Sequence, residues 1–94
     1  MTLTDFLLAR IAEDESAATE WGVKGERARA ARLCAETQAK RRLLNEYRAR
    51  DEDVALMLGP DSRRQRQWAG LHLATKVLAA IYSDHPDYRD EWRP

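Results

Sequence analysis

Histidine is the side chain in this sequence best suited to proton transfer, and its surroundings decide whether it can do that work. His72 shares a helical face with Trp68 and Lys76, and no carboxylate is placed by the sequence to orient its ring. A histidine base is normally held by such a partner. We therefore interpret His72 as a histidine at the rim of the core and expect no catalytic residue in the chain.

The second histidine and the only cysteine are also better explained by structure than by catalysis. His85 precedes Pro86 and has Asp84 and Asp87 as neighbours, an arrangement that favours a fixed turn. Cys34 cannot form an internal disulfide, which fits a reducing compartment, and we expect a cytoplasmic protein. Because Cys34 lies on a mostly apolar helical face, we expect it to be a small core residue.

Carboxylates are numerous, but their spacing does not favour a metal site. Glu13-Asp14-Glu15 and Asp51-Glu52-Asp53 are contiguous clusters, which fan out around a helix and do not converge on one ion. Two histidines and one cysteine are too few for a structural zinc site within one chain. We expect no metal and no cofactor.

Length and composition predict a single all-α domain over residues 1–94. The chain has 94 residues and is rich in Ala, Leu, Glu and Arg, with few β-branched residues. We expect a small helical bundle of three main helices, plus a short C-terminal helical turn packed back on the last long helix. No apolar run approaches the roughly 20 residues of a membrane span, so no membrane partner is expected.

The first two helices are predicted from caps and breakers. The first begins near Asp5 with Thr4 as its N-cap, and it ends in a turn over Trp21–Gly25. The second runs from about Glu26 to at least Arg50. A helix continuing to Leu58 would be about 50 Å long, so we favour a break near Asp51 and a short helix before Gly59.

The third helix has the widest apolar stripe and is predicted to be the central core helix. Gly59-Pro60 ends the preceding segment, and Ser62 and Gln65 form a capping-box pattern with Asp61 as a competing cap. A short terminal helix then starts at Pro86. The apolar stripe of the third helix consists of Trp68, Leu71, Ala74, Leu78 and Ile81, flanked by Leu73, Val77 and Ala80.

Charge is segregated along the chain although its formal sum is zero. Residues 1–20 hold one cation and five anions, whereas residues 24–50 hold nine cations and three anions. If the acidic first helix packs antiparallel to the basic second helix, the charges of the two helices pair with each other. The alternative is a nucleic-acid-binding regulator that uses the two basic runs. Its candidate residues are Lys40, Arg41, Arg42, Arg63, Arg64 and Arg66.

Aromatic residues are the candidate anchors for a protein partner. Tyr88 and Trp92 are four residues apart, and we expect them to close over the third helix. Any aromatic ring left partly exposed would suit an interface. The partner-binding candidates are Trp21, Trp68, Tyr88 and Trp92.

Three segments resemble a known family. The final residues 84–94 (DHPDYRDEWRP) resemble the ending of small actinobacterial and actinobacteriophage proteins of unknown function, which read close to YADHPDYREEWRP. Phe6–Glu15 and Ala39–Leu44 are similar to the first and middle helices of that family. Longer members carry an insert after the first helix, and some carry cysteines before the last helix. This chain has neither, so no metal role is carried over.

A non-enzymatic protein–protein interaction module is the function that we favour from these observations. The resemblance implies a source in a phage or prophage and says nothing about chemistry. The surplus of aromatic residues and helical faces, without a catalytic constellation, is what favours an accessory protein that binds a bacterial host protein. Self-association is the other form of this hypothesis, because the narrow, alanine-rich apolar stripe of the second helix is not fully satisfied by packing against one neighbouring helix. A homodimer through that helix would result.

Overall fold

The structure, a computed structural model, describes residues 1–55 and 62–94. These ranges form three helices, α1 (Leu3–Val23), α2 (Arg27–Ala55) and α3 (Ser62–Ala80), and a 3-10 turn (Asp90–Trp92), with no strand among them. The all-α prediction is confirmed. The helices group into two compact units, residues 1–42 and residues 43–94, and α2 contributes to both.

Helix α1 begins two residues earlier than the sequence suggested. Thr2, and not Thr4, is its N-cap: the Thr2 hydroxyl accepts from the Asp5 backbone N–H at 3.1 Å, and Asp5 Oδ2 accepts from the Thr2 N–H at 3.3 Å. This reciprocal pair is a capping box with aspartate in the usual Glu position. Asp5 is therefore inside the first turn, where its charge also favours the helix dipole.

The connection between α1 and α2 is shorter than predicted. Helix α1 continues through Trp21 to Val23, and Lys24 is its C-cap. Gly25 has a φ of 84°, which only glycine adopts without strain. The N–H of Glu26 reaches back to the carbonyl of Trp21 at 2.9 Å, so the helix end is satisfied within the turn.

In the unit of residues 1–42, α1 and α2 lie side by side and their opposite charges pair. Lys40 Nζ lies 3.4 Å from Asp14 Oδ2, and Arg41 binds Glu15 through two nitrogen–oxygen contacts of 2.9 and 2.5 Å. The predicted acidic–basic match is thus present as specific ion pairs. The buried apolar side chains of α1 follow helical spacing; they are Leu3, Phe6, Leu7 and Ile11.

Helix α2 is continuous through Asp51, so the predicted break there is wrong. The run contains no glycine or proline, and its charges support the helix. Arg50 pairs with Glu46 at 3.9 Å and with Asp53 at 3.2 Å, one turn before and one turn after it. Three sequence predictions lie outside the described residues: the end of the short helix at Leu58, the breaker Gly59-Pro60 and the cap Asp61.

In the unit of residues 43–94, α3 buries only part of the wide stripe that its sequence suggested. Thr75 and Ala79 are its fully buried residues, and the Thr75 hydroxyl donates to the Leu71 carbonyl at 2.7 Å. The prediction that the whole apolar stripe of α3 is buried in the core is wrong. Leu73, Val77 and Ile81 are exposed.

The tail folds back on α3, as predicted. The Asp87 N–H donates to His85 Nδ1 at 3.0 Å, which fixes the turn expected at this histidine. The helical turn starts at Asp90 and not at Pro86, and it contacts α3. Tyr88 and Trp92 meet edge to face with ring centroids 5.8 Å apart, and Trp92 is only 6% exposed.

Replacing Trp92 by alanine should lower the free energy of unfolding by about 2–4 kcal/mol, because a buried aromatic ring is removed. Urea denaturation followed by circular dichroism measures the change. Glu91→Ala is the matched control, since that side chain is exposed in the same turn and should shift stability by less than about 0.5 kcal/mol. Equal stabilities for the Trp92 variant and the wild type would contradict the packing of the tail.

Candidate functional site

Four side chains of α2 and α3 form a connected cluster in the unit of residues 43–94. His72 Nδ1 lies 2.9 Å from the Tyr47 hydroxyl, and Trp68 Nε1–H donates to Asp51 Oδ1 at 2.9 Å. The Trp68 and His72 rings stack with centroids 4.8 Å apart and planes 11° apart. We call this set the Tyr47–His72 cluster. It joins two i, i+4 pairs on antiparallel helix segments.

The protonation states of the Tyr47–His72 cluster follow from its partial burial. Burial lowers the pKa of His72, and the positive charge of Lys76 lowers it further, against an opposing effect of Asp51. Burial, followed by the negative charge of Asp51, raises the pKa of Tyr47. At neutral pH the Tyr47 phenol therefore keeps its proton and the His72 imidazole is neutral.

This cluster holds α2 against α3. The carboxylate of Asp51 accepts from the Trp68 indole and makes no hydrogen bond to His72. The interpretation of His72 as a rim histidine agrees with its half-buried position. The contact between His72 and Tyr47 was not predicted from the sequence. The equal four-residue spacing of Tyr47 and Asp51 and of Trp68 and His72 is a signal that could have indicated it.

A shallow groove lies between α1 and α2 in the unit of residues 1–42. Its volume is about 460 Å³, and small side chains make room for it. Cys34 is exposed on its wall, so the prediction of a core cysteine is wrong. The Cys34 thiol receives only a weak contact from the Gln38 amide at 3.8 Å. The groove is lined by Glu15, Ala18, Thr19, Ala30, Ala31, Cys34, Thr37 and Gln38.

The basic residues considered for nucleic-acid binding are not equally available. Lys40 and Arg41 are engaged by Asp14 and Glu15. The hydrogen bonds from Arg41 lower the pKa of Glu15, so this pair is fully charged at neutral pH. Arg42, Arg63, Arg64 and Arg66 have exposed side chains. A phosphate would have to compete with carboxylates for two of the six cations.

The four aromatic candidates differ in their local surroundings. Trp21 is half-buried, and its ring lies beneath the Arg29 guanidinium at 4.3 Å and the Lys24 amine at 5.3 Å. Trp68 is engaged in the Tyr47–His72 cluster. Trp92 is buried with Tyr88 beside it, so its ring serves packing in its own unit.

The outward face of α3 is the most extensive exposed apolar feature in the part of the chain that the structure describes. Leu73, Val77 and Ile81 are 54%, 54% and 65% exposed and are spaced four residues apart. They lie about opposite the buried Thr75 and Ala79 around the helix. We call this row the outer stripe of α3. It is the candidate functional site that the sequence analysis missed, because these residues were assigned to the core.

Residues 1–55 and 62–94 contain no group of three or more His, Cys, Asp or Glu side chains arranged to hold a metal ion. As far as these residues extend, α1, α2 and α3 lack the long apolar stretch that a membrane span requires.

Fold and site together define an all-α chain in which two side-chain hydrogen bonds join α2 to α3 and the outward face of α3 carries an apolar stripe. The chain belongs to a family of unknown function (DUF6221), whose model matches residues 1–94. This match confirms the expected membership in a family of unknown function. No curated protein and no solved structure matches the chain.

The stability of the protein should fall as the pH falls below about 6.5, the ordinary pKa of histidine. The folded state holds the pKa of His72 below that value, so the unfolded chain takes up the proton first. The contribution is fully present above the unfolded pKa and is lost as the pH falls towards the folded one. Urea titrations of wild type and His72→Phe at several pH values between about 5 and 8 measure it.

In His72→Phe this part of the pH dependence should disappear. His85→Gln is the matched control, because it removes the other histidine and leaves the slope that His72 contributes. An unchanged slope in His72→Phe would contradict the neutral, half-buried state of His72.

Replacing Tyr47 by phenylalanine should lower the free energy of unfolding by about 1 kcal/mol, because the hydrogen bond between its hydroxyl and His72 Nδ1 is lost while the ring packing is kept. The same urea titrations at pH 7.5 measure it. Combining Tyr47→Phe with His72→Phe should cost less than the sum of the two single changes, since both break one hydrogen bond. Strict additivity would show that the hydroxyl and the imidazole do not interact.

Proposed function

We propose that this protein is a non-enzymatic protein-interaction module and that the outer stripe of α3 is its docking surface. The observation that carries the proposal is the exposure of Leu73, Val77 and Ile81 in one row. Single exposed apolar residues are ordinary on protein surfaces, but a contiguous row marks a site of association.

The energetics support docking at this stripe. Complete burial of a leucine, valine or isoleucine side chain is worth about 1.5–3 kcal/mol, and here about half of each side chain stays in water. A partner that covers the row gains the free energy of burying the apolar surface that folding leaves in water. Anchors one helical turn apart are also the pattern by which a helix is recognised by a groove or by another helix.

The wider proposal concerns the setting of this interaction. We place the protein in the cytoplasm, which its single cysteine supports. The resemblance of residues 84–94 to actinobacteriophage proteins supports an accessory role in a phage or prophage. The partner is then a bacterial host protein or a second copy of the chain.

Site-specific photocrosslinking in living cells tests the docking surface. A benzophenone amino acid at Val77 should give a discrete protein adduct, because a partner covers that position. The same amino acid at Gln67, which is exposed on α3 but lies outside the stripe, is the matched control and should give little of that adduct.

The mass of the adduct identifies the type of partner, and a mass twice that of the chain indicates a second copy. No adduct from Val77, or equal adducts from Val77 and Gln67, would contradict the proposed docking surface.

A further inference from the structure

We infer that the occupant of the outer stripe is a second copy of this chain, paired antiparallel through α3 about a two-fold axis near position 75. This inference rests on the proposed function and names its partner. Three features of α3 lead to it: the register of its apolar residues, the distribution of its charges, and a glycine that the fold itself does not require.

The apolar residues of the stripe match themselves in an antiparallel register. With the axis on the stripe side of α3, level with position 75, Leu73 of each copy faces Val77 of the other, and Ile81 lies level with Ala69. All four residue types are apolar, and the three large ones are exposed in the structure. Such a pairing repeats each contact twice, as an interface between identical surfaces must.

The charges at the two ends of the stripe select the antiparallel direction. Residues 62–82 contain four cations and no anion, and Arg66 is in line with the stripe at its beginning. Asp84 is exposed and follows Ile81 by three residues, in the turn after α3 in which Ile81, Tyr82 and Ser83 donate to the carbonyls three residues before them.

The register that joins Leu73 to Val77 also brings Arg66 of one copy to Asp84 of the other. The two ends of each stripe then meet with opposite charge. A parallel pair would instead set Arg66 against Arg66 and Asp84 against Asp84.

Gly70 fits the same register. It lies inside α3, where glycine costs about 1 kcal/mol relative to alanine. A Cβ atom at this position would meet nothing within 4 Å, so no contact within the chain requires a glycine here. In the antiparallel pair Gly70 faces Ala80, and two small residues let the helix backbones approach closely on both sides of the central Leu73–Val77 contacts.

Sedimentation velocity over a range of concentrations measures the association. The wild type should pass from monomer to dimer below about 1 mM, as expected for a small interface made by one helix from each chain. Val77→Glu should raise the dissociation constant at least about tenfold, because a carboxylate is placed at the centre of the apolar contact. Gln67→Glu adds the same charge on the same helix outside the stripe and should leave the constant nearly unchanged.

A charge exchange tests the register. Arg66→Glu alone and Asp84→Arg alone should each weaken the dimer about three- to tenfold at low salt, since each creates two like-charge contacts. The double variant restores opposite charges across the interface and should recover most of the wild-type affinity. Circular dichroism of each variant confirms that the helices are intact.

The outcomes separate this inference from the proposed function. A wild type that stays monomeric up to about 1 mM, or a dimer that Val77→Glu does not weaken, overturns the pairing through the stripe. A double variant as weak as the single ones overturns the antiparallel register. If the chain is monomeric and Val77 still crosslinks to a protein of another mass, the second copy is excluded while the docking surface stands.

Discussion

The double contact between α2 and α3 fixes the rotation of α3, and that rotation decides which side chains of α3 are exposed. Tyr47 binds His72, and Asp51 binds the indole of Trp68, so two points one turn apart are held on each helix. A helix held at two such points cannot turn about its own axis without breaking both hydrogen bonds. The side that carries Thr75 and Ala79 is therefore buried.

The sequence of α3 permits more than one rotation, because apolar residues occur on nearly all of its sides. Counting apolar residues favoured a wide buried stripe that included Leu73 and Val77. The structure instead buries Thr75, whose hydroxyl is satisfied by the Leu71 carbonyl of its own helix. Thr37 of α2 is buried in the same way, bonded to the Cys34 carbonyl at 2.8 Å. Hydropathy cannot recognise a polar group whose partner lies one turn before it.

Predictions that depend on local chemistry agreed with the structure better than those that depend on tertiary contacts. Helix content and the turn at Gly25 follow from composition and backbone freedom. The folding back of Trp92 is a tertiary contact, which the aromatic spacing of the tail nevertheless predicted. The break at Asp51 was wrong because helix length was judged against the size of the chain, while Arg50 supplies local ion pairs that continue the helix. The exposure of Cys34 depends on a groove between two helices, which no single-helix pattern encodes.

Charge segregation has different consequences in the two units. In residues 1–42 the opposite charges lie on neighbouring helices, and Asp14 and Glu15 reach Lys40 and Arg41 within the unit. In the unit of residues 43–94, Arg66 lies near the start of α3, and Asp84 lies in the turn after its end. At 1.5 Å per residue the part of α3 from Arg66 to Ala80 alone spans roughly 21 Å, well beyond the screening length at physiological salt.

These two charges therefore cannot neutralise each other within the chain. An antiparallel copy brings each within reach of its opposite and covers Leu73 and Val77 in the same step. The rotation that exposes the apolar stripe also exposes the charge pattern that selects its partner.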